Sequence, residues 1–485
     1  DGADFIYSSH VVGLSAVRRA IMSPLPAGYT IGQVDVATAF LQADMFPPDA
    51  TPRYLRLFDP VAGTVRWFRQ YGVIYGSCSA PARWQATLHP WIESQGFVAG
   101  KNEPCAFYNP KTKVLLESFV DDLIGRGPDQ PVREFMKALA VRFKCKPPNY
   151  LTQDTPLDHL GMTFFRTSKG TYLSMENYIN TMIHNLGLDT TTFRKVRTPI
   201  SCPVMDFTPL SPDEAKFFMS GTGMIGWLAV TGRPDLKYCH SRISQHLASP
   251  NRGALANLLH AVKYCYWSKS LCIHQAEGKE VPPAEWSLSC DSDQSGNTEP
   301  QNKRRSQLGS LAMFGTCPIQ WSSKASAVQF GEMSTMTPGA QAAVEAVTGT
   351  VPVCHPDMPD LHPDMSSAAA EIYAASVALG EFMHLSYIND EMGFGPISPL
   401  HIGVDNSTAI AFSENSNKRS KLRHIDCRQL WVQALRNRNL CRLIKVGTDE
   451  NLSDMFTKIL GPIKFEAVRD KMMYNHPLPE AAKAA

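Results

Sequence analysis

The sequence lacks a strong bias toward either charge and lacks long apolar runs. Its 485 residues include 47 Lys and Arg and 45 Asp and Glu, a formal net charge of +2. A charge this small excludes a histone-like polycation and an acidic tail protein, so any nucleic-acid contacts must come from local basic patches. A membrane-spanning helix needs about 18 or more apolar residues in a row. No such run occurs, and we expect no spanning helix.

The cysteines lack the spacing of a metal site. All twelve are scattered between Cys78 and Cys441, without a C-x-x-C pair. This pattern excludes a zinc ribbon and a dense disulfide framework, and it favours reduced core cysteines in an intracellular protein. The first ten residues, DGADFIYSSH, contain no Met, no basic start and no apolar segment, unlike a signal peptide. We therefore expect a fragment or processed product of a longer polypeptide.

Length and periodicity predict several domains of mixed structure. At about 100–200 residues each, this chain would hold two to four domains. Alternating apolar and polar residues indicate strands, and apolar residues three or four positions apart indicate helices. Turn residues mark the breaks between these segments. The predicted strands are 31–36, two strands around a turn within 114–125, 160–167, TYLSM, WSLSCD, QLGSLAMFG, PIQWSS, 400–405 and CRLIKVG. The predicted helices are 176–188, 213–270 with a break at 232–234, 366–388, 426–436 and a last one from about 450.

Three acids in the first third form a candidate metal site. In the strand IGQVDV, Gln33 and Asp35 share one face, because side chains alternate along a strand. The Val-Asp-Asp turn places Asp121 and Asp122 at a hairpin tip. Converging carboxylates repel unless divalent cations neutralise them, and two Mg²⁺ ions suit in-line phosphoryl transfer. The alternative is a surface Asp beside an ordinary turn.

An ordered series of segments, beginning with QVDVATAFLQADM (33–45), resembles the reverse transcriptases of copia-type retrotransposons. QVDVATAFLQADM (33–45) resembles their first catalytic motif, and FVDD (119–122) resembles their Tyr-Val-Asp-Asp box. IYGSCSAPARWQATL (74–88) resembles their Leu-Tyr-Gly-Leu-Lys-Gln-Ala-Pro-Arg-x-Trp segment. Further matches in the same order are GFVAGKNEPCAFY, HLGMTFFRT, TGRPDLKY and WSSK. The series runs from about residue 3 to residue 460, and its order is far more specific than any one motif.

The resemblance implies functional residues in the first third. Asp35, Asp121 and Asp122 would bind the metals of a polymerase palm. Phe40 matches an aromatic residue under the sugar of the incoming nucleotide, where its ring would collide with a 2′-hydroxyl; a core Phe is the alternative. The residues matching the segment that positions template and nucleotide are Tyr75, Gly76, Pro81 and Arg83.

The sequence also departs from the family pattern. Ser77-Cys78-Ser79 stands where the family has Leu-Lys-Gln, and Ser79 reaches less far than Gln. Glu117 occupies a hairpin-strand position that is apolar in the family. The family's basic fingers segment would precede residue 1. These departures argue for weakened polymerase activity.

A second set of acids in the last third resembles the ribonuclease H order of strand-end Asp, helical Glu, strand-end Asp and helical Asp. The residues are Asp291, Glu371, Asp405 and Asp454, implied to be catalytic and to bind metal. Glu332 and Glu345 are rivals of Glu371, which we prefer because it follows Ser-Ser-x-x-Ala and leads an amphipathic helix. His424, in Arg-His-Ile-Asp, would touch substrate or be a surface histidine. Basic runs at 303–305 and 418–423 would bind the phosphates of an RNA–DNA hybrid, or they would be solvated loops.

The expected fold is a multidomain α/β and α+β chain. It would have a right-hand polymerase palm with thumb and connection, followed by a ribonuclease H-like mixed-sheet domain. The expected divisions are a palm with truncated fingers (1–127), a thumb-like region (128–200), a helical connection (201–280), a ribonuclease H-like domain (281–465) with a flexible insertion (336–366), and a tail (466–485).

The resemblance implies an RNA-directed DNA polymerase with ribonuclease H activity. Its cofactor would be Mg²⁺, two ions per active site, with Mn²⁺ as a substitute. Its partners would be an RNA template, a primer, RNA–DNA hybrid, deoxynucleoside triphosphates and other Gag and Pol products, without a membrane. It would act in a cytoplasmic virus-like particle or the nucleus. The alternative is a decayed or domesticated copy that binds nucleic acid with little or no polymerase activity.

Overall fold

The structure is a computed structural model that describes residues 9–278, 281–294, 305–326, 367–414, 427–476 and 478–479. Within these ranges, no helix is long and apolar enough to cross a membrane. The predicted insertion, the rival acids Glu332 and Glu345, and His424 with its neighbouring basic run lie outside the described residues.

The first 150 residues contain three helices and eight strands within the described part. A 3₁₀ turn at Ala39–Gln42 follows the first strand. In chain order the elements are α1 (Leu14–Met22), β1 (Tyr29–Asp35), β2 (Arg53–Asp59), β3 (Thr64–Gln70), α2 (Ala80–Ser94), β4 (Val98–Ala99), β5 (Ala106–Asn109), β6 (Val114–Phe119), β7 (Asp122–Pro128), α3 (Asp129–Arg142) and β8 (Asn149–Tyr150).

The middle of the chain has three short strands, a run of helices and one further strand. The predicted break in the long helical section is confirmed, because Gly232 ends one helix and Pro234 begins a 3₁₀ turn. The elements are β9 (Leu157–His159), β10 (Met162–Thr167), β11 (Gly170–Ser174), α4 (Glu176–Asn185), α5 (Pro212–Thr231), α6 (Lys237–Ser244), α7 (Arg252–Trp267) and β12 (Leu271–Ala276).

The last part alternates strands and helices, mostly as predicted. The expected last helix from about 450 is wrong: a 3₁₀ turn, Leu452–Phe456, comes first, and the last helix begins at Pro462. The elements are β13 (Trp286–Asp293), β14 (Gln307–Phe314), β15 (Cys317–Ala325), α8 (Ser367–Glu391), β16 (Leu400–Val404), α9 (Ser407–Glu414), α10 (Cys427–Asn437), β17 (Cys441–Lys445), α11 (Pro462–Arg469) and β18 (Tyr474–Asn475).

The first sheet has the strand order β4-β5-β6-β7-β1-β8. Helices α2 and α3 share a core with one of its faces, including Trp84 and Leu139. Strand β8 pairs with β1 through Gly32 and Tyr150, and a Cβ on Gly32 would lie only 2.9 Å from the Tyr150 ring. The sheet and its covering helix α3 therefore continue past residue 127, where the sequence predicted a division. Strands β2 and β3 form a separate exposed hairpin.

The second sheet has the order β18-β12-β11-β10-β9, so the C-terminal strand returns to the middle of the chain. Tyr474 pairs with Cys272, and Leu478 is buried in a cluster with Phe165 and Tyr172. The segment predicted as a tail from residue 466 thus contains a paired strand, because its apolar side chains have a place against this sheet.

The third sheet is mixed, with the order β15-β14-β13-β16-β17. Strands β13, β14 and β15 are antiparallel, whereas β16 runs parallel to both β13 and β17. Helix α8 packs against β13 and β16. The prediction of a multidomain chain of mixed α/β structure is confirmed at this level.

Helix α1 lies at the junction of the three sheets. Its Arg18 Nε donates to the Ile319 carbonyl at 2.8 Å, while Nη1 donates to the carbonyls of Val230 and Thr231 at 2.8 and 2.9 Å. The Arg18 guanidinium also stacks on Trp321 at 4.1 Å. Burial lowers the pKa of Arg18 to about 9, so it stays cationic at neutral pH. One side chain therefore links α1, α5 and the third sheet.

A buried ion pair fixes the turn between α5 and α6. Arg233 and Asp235 have fully buried side chains, and two hydrogen bonds of 2.9 and 2.7 Å join guanidinium to carboxylate. The Tyr264 hydroxyl donates to the same carboxylate at 2.7 Å. Burial alone would raise the pKa of Asp235, but the Arg233 charge and these hydrogen bonds lower it.

Replacing Asp235 with Ala should destabilise the fold strongly. The substitution leaves the Arg233 charge buried without its carboxylate, which costs about 3–5 kcal/mol in comparable pairs. Urea and thermal unfolding of the purified variant would measure the loss. Asp213→Ala, at an exposed first-turn position of α5, is the matched control and should cost about 1 kcal/mol or less. Equal losses in both variants would contradict the assignment.

Candidate active sites

The first site lies where β1 meets β7. The two strands are antiparallel, with Asp35 directly opposite Asp122. Gln33 and Asp35 share the partly exposed face, while Val34 and Val36 are buried beneath, at 1% and 0% exposure. The predicted strand, its facing and the two-strand hairpin ending in the acids are confirmed.

The turn that carries Asp121 is held by hydrogen bonds from two other elements. Val120 has a positive φ of 57°, and its carbonyl accepts a 2.6 Å bond from Trp84 Nε1 on α2. The backbone N–H of Val36 donates to the Asp121 carbonyl at 2.7 Å. These bonds place Asp121 beside the end of β1.

Two basic side chains that the sequence analysis missed engage the carboxylates. Lys146 Nζ lies 3.0 Å from Asp35 Oδ2. His159 Nδ1, on β9, lies 2.7 Å from Asp122 Oδ2. Gln33 Nε2 donates to both Asp122 oxygens at 3.0 and 2.9 Å. No local motif marks these contacts, because they join residues far apart in the chain.

The charges of both neighbouring acids affect the pKa of Asp121. Burial, followed by the negative charges of Asp35 and Asp122, raises the pKa of Asp121. Across the described ranges, one group of three acidic, histidine or cysteine side chains brings its ligand atoms within 4.8 Å of one another, and it is not this group. The first three acids are neighbours, but they do not form a closed carboxylate cluster.

The remaining predicted residues of this region lie around the start of α2. The Phe40 ring, in the 3₁₀ turn, is half-buried and lies 5.1 Å from the Tyr75 ring. Gly76 has a φ of 87°, a conformation that favours glycine. The Arg83 guanidinium stacks on Phe46 at 4.6 Å. Phe40 and Tyr75 are therefore brought together, whereas Arg83 is engaged with a different ring.

The two departures from the family pattern are both buried. Ser79 is 5% exposed just before α2 and makes no side-chain capping bond. Glu117 is 1% exposed, and neither of its carboxyl oxygens has a hydrogen-bond partner. Burial, with the nearby Glu103 charge, raises the pKa of Glu117 well above its usual value.

The second site is a compact carboxylate cluster at one edge of the third sheet. Asp291 lies on β13, Asp405 directly follows β16, and Glu371 lies in the first turns of α8. Carboxyl ends of parallel strands meet at one edge, and β13 and β16 are parallel neighbours. Ligand oxygens of all three side chains lie within 4.8 Å of one another.

Hydrogen bonds orient two of these acids and leave one oxygen free. The backbone N–H and hydroxyl of Ser292 donate to Glu371 Oε1 at 3.2 and 3.0 Å. The Thr457 hydroxyl donates to Asp291 Oδ2. Among the described residues, no group hydrogen-bonds to the other Glu371 oxygen, Oε2, which is buried. An orphaned buried oxygen beside two further carboxylates fits a divalent cation, for which oxygen is the preferred ligand.

The electrostatics of the cluster favour protons or a metal. Burial, followed by the Asp291 charge, raises the pKa of Glu371 to about 8. Burial likewise raises the pKa of Asp291, while Lys458 opposes the shift. Two buried carboxylates and a partly buried third cannot all ionise this close together without compensation.

Asp454 stands apart from the cluster. It is fully buried in the 3₁₀ turn Leu452–Phe456, with Lys458 at 3.0 Å and Lys464 at 2.8 Å. Lys458 also lies 3.6 Å from Asp291, between the two acids. Of the four predicted acids, the structure brings three together and holds the fourth in ion pairs. The sequence analysis missed Thr457, Lys458 and Lys464.

The chain is similar to a known polymerase family and to several retroelement proteins. Residues 2–202 match the family described as reverse transcriptase (RNA-dependent DNA polymerase). The chain is 24% identical over 490 residues to the retrovirus-related Pol polyprotein from transposon TNT 1-94 of Nicotiana tabacum, covering 97% of this chain and 33% of that protein. It is 23% identical over 482 residues to the Pol polyprotein from transposon RE1 of Arabidopsis thaliana, covering 96% and 29%.

A yeast relative covers a shorter part of the chain. The putative transposon Ty5-1 protein of Saccharomyces cerevisiae is 24% identical over 304 residues, which is 60% of this chain and 92% of that protein. The chain spans about a third of the length of the tobacco and Arabidopsis relatives. The alignments with those two proteins include the third sheet, whereas the family match ends at residue 202.

Magnesium should stabilise the chain more at pH 8.5 than at pH 6. A raised carboxyl pKa stabilises the metal-free fold at low pH, and this contribution is lost as the pH rises through the folded value, about 8 for Glu371. Mg²⁺ then replaces the protons and restores stability. Thermal unfolding with and without Mg²⁺ at both pH values would measure the difference.

Two Asn variants control the magnesium measurement. Asp405→Asn, inside the cluster, should remove the pH-dependent gain, whereas Asp390→Asn, exposed on α8, should keep it. A gain that is independent of pH, or one that survives Asp405→Asn, would count against a metal site here.

Proposed function

We propose that this chain, which corresponds to the reverse transcriptase-containing Pol region of a copia/Ty1-type retrotransposon, copies RNA into DNA and cuts the RNA strand of the resulting hybrid. The observation that carries the nuclease half is the cluster of Asp291, Glu371 and Asp405, of which the first two are buried and the third is partly buried. The polymerase half rests on the family match together with the arrangement of Asp35, Asp121 and Asp122.

The proposed domains follow the three sheets. The first sheet with α2 and α3 would be the palm, extending to about residue 151, and the exposed β2–β3 hairpin would belong to the fingers. The second sheet and its helices would form the thumb and connection, including β18. The third sheet with α8 would be the ribonuclease H-like domain.

In the nuclease half, the carboxylate cluster would hold Mg²⁺ against the scissile phosphate. When bound, the metal would activate water and stabilise the leaving 3′-oxygen. Ser292 keeps Glu371 turned toward the cluster, and Thr457 does the same for Asp291. Lys458, 3.6 Å from Asp291, would attract the phosphate backbone to this edge. Asp454 would hold Lys458 and Lys464 in place.

In the polymerase half, Asp35, Asp121 and Asp122 would bind Mg²⁺ with the primer 3′-end and the triphosphate. Lys146 and His159 now occupy the carboxylate oxygens that a metal would use, so metal binding would require both contacts to open. Phe40, packed beside Tyr75, would lie under the sugar of the incoming nucleotide. Tyr75, Gly76 and Arg83 would position template and nucleotide.

A specific observation favours a second candidate, a copy that binds nucleic acid but polymerises poorly. Lys146 contacts Asp35 and His159 contacts Asp122, Ser79 is buried without a capping bond, and Glu117, with a raised pKa, is buried inside the proposed palm sheet. None of these features touches the second site. We therefore expect hybrid cleavage to be the stronger of the two activities.

The proposed partners are an RNA template, a primer, RNA–DNA hybrid, deoxynucleoside triphosphates and other Gag and Pol products of the element. The proposed location is a cytoplasmic virus-like particle or the nucleus. Both follow from the retrotransposon family.

The two activities should separate by single substitutions. With Mg²⁺, the chain should cleave RNA–DNA hybrid well and extend primers poorly. Asp291→Asn should reduce cleavage by at least about 10²-fold, because an amide is a weaker metal ligand and positioned charge dominates this chemistry. Asp121→Asn should abolish extension and leave cleavage unchanged. Hybrid cleavage and primer extension would be measured on one preparation of each protein.

Asp390→Asn is the control for both assays, because this side chain is exposed on α8 away from either set of acids. It should match the parent chain. Robust extension without any Asp291-dependent cleavage would reverse the proposed ranking, and extension that survives Asp121→Asn would remove Asp121 from the polymerase site.

Replacing Phe40 with Ala should relax sugar discrimination. Loss of the ring removes the volume that would collide with a 2′-hydroxyl, so ribonucleotide incorporation should rise relative to deoxynucleotide incorporation. The measurement is the ratio of kcat/KM for the two substrates in primer extension. Phe46→Ala, a nearby ring that stacks on Arg53 and Arg83, is the control and should leave the ratio unchanged. An unchanged ratio in Phe40→Ala would make Phe40 a packing residue.

A further inference from the structure

A cavity of about 380 Å³ lies between the first and third sheets, away from both sets of acids. It opens at the end of β1 that carries Tyr29, six residues before Asp35, which is roughly 20 Å along a strand. The third sheet closes the far side through Phe314, and the loop after α8 contributes Phe394. The volume falls within the range of about 300–1,000 Å³ typical of ligand sites.

The charge of this cavity is positive and uncompensated. Arg19, Arg126 and Lys113 line it, and no acidic side chain does so among the described residues. Burial, followed by repulsion from Arg126, lowers the pKa of Arg19 to about 9. Glu277 is the carboxylate that attracts Arg126, but it is already paired with Arg166 at 2.6 Å.

The two arginines are held rigidly by neutral groups. Arg126 donates to the carbonyls of Ala20, Ser23 and Pro24 at 2.5–2.9 Å. Arg19 Nε donates to Asn389 Oδ1 at 2.6 Å, and Nη1 donates to the Ser23 hydroxyl at 2.5 Å. In the described part of the chain, Arg19 Nη2 has no hydrogen-bond partner, although Arg19 lines the cavity. A donor on a fixed cation is therefore left for a ligand.

Aromatic rings supply the other wall. The Arg19 guanidinium lies over the Phe314 and Phe394 rings, 3.9 and 4.0 Å from their centres. Tyr29 and Tyr108 also line the space, and the backbone of Gly393 packs closely against the Tyr108 ring, where a Cβ would lie 2.5 Å away. The cavity thus combines positive charge with flat apolar faces, the pairing of features that suits a ring bearing an anionic group.

We propose that this cavity binds a mononucleotide-like anion, with its phosphate against Arg19 and Lys113 and its ring against the tyrosine faces. Binding would relieve the mutual repulsion of the cations and would bridge the first and third sheets. The site needs no divalent metal, since its own cations supply the charge. It is therefore separate from the proposed catalytic sites, and it does not depend on either activity.

The probe is adenosine 5′-monophosphate in EDTA, measured by calorimetry and thermal unfolding of the full 485-residue chain. EDTA removes the divalent metal with which the proposed catalytic sites would hold a phosphate, whereas the cavity supplies its own cations. Adenosine and inorganic phosphate, tested separately, isolate the ring and the charge. We expect the monophosphate to bind more tightly than either part and to raise the unfolding midpoint. No binding of the monophosphate, or equal binding of adenosine, would overturn the proposal.

Two neighbouring lysines give a matched pair of variants. Lys113 lines the cavity, whereas Lys111 is exposed on the same turn outside it. Lys113→Glu should weaken binding about tenfold or more, as expected for loss of one charge-assisted contact, and Lys111→Glu should leave it unchanged. Both positions are exposed, so neither variant should disturb folding. Equal affinities in the two variants would overturn the assignment.

Discussion

The placement of buried cations on one short helix determines how the three sheets sit together. Arg18 and Arg19, adjacent on α1, point into different surroundings: one binds carbonyls of α5 and the third sheet, and the other lies between two phenylalanine rings. A buried guanidinium without hydrogen-bond acceptors is very costly, so the carbonyls around it must keep their positions. The elements that carry the acids are consequently fixed relative to one another.

The two sets of acids differ in how their negative charges are compensated. At the edge of the first sheet, Lys146 forms an ion pair with Asp35, and the His159 ring contacts the Asp122 carboxylate. At the edge of the third sheet, Lys458 offsets Asp291 only in part, and a Glu371 oxygen keeps no partner. The first arrangement pairs two of the three carboxylates without a metal, whereas the second leaves a deficit of positive charge. This contrast is the physical reason for ranking the proposed nuclease above the polymerase.

Much of the fold was predictable because strand periodicity and turn residues are local signals. The face of β1 on which Asp35 lies and the hairpin before Asp122 followed from such signals. The grouping of Asp291 with Asp405 was instead implied by the resemblance to ribonuclease H. The side chains that contact these acids could not be predicted from such signals. Lys146 is 111 residues from Asp35 and follows α3 without any recognisable pattern. The same holds for the pairing of β18, since two residues of strand carry almost no sequence signal.

Strand β18 also gives the chain an unusual order of assembly. The whole third sheet lies between β12 and β18, which are neighbours in the second sheet. Contacts that join such distant residues form slowly, because the intervening chain must be compact before its ends can meet. During synthesis, the second sheet can be completed only after all strands of the third sheet have been made. A chain that ends before Tyr474 would leave the edge of β12 open, and open edges are where chains pair with one another and aggregate.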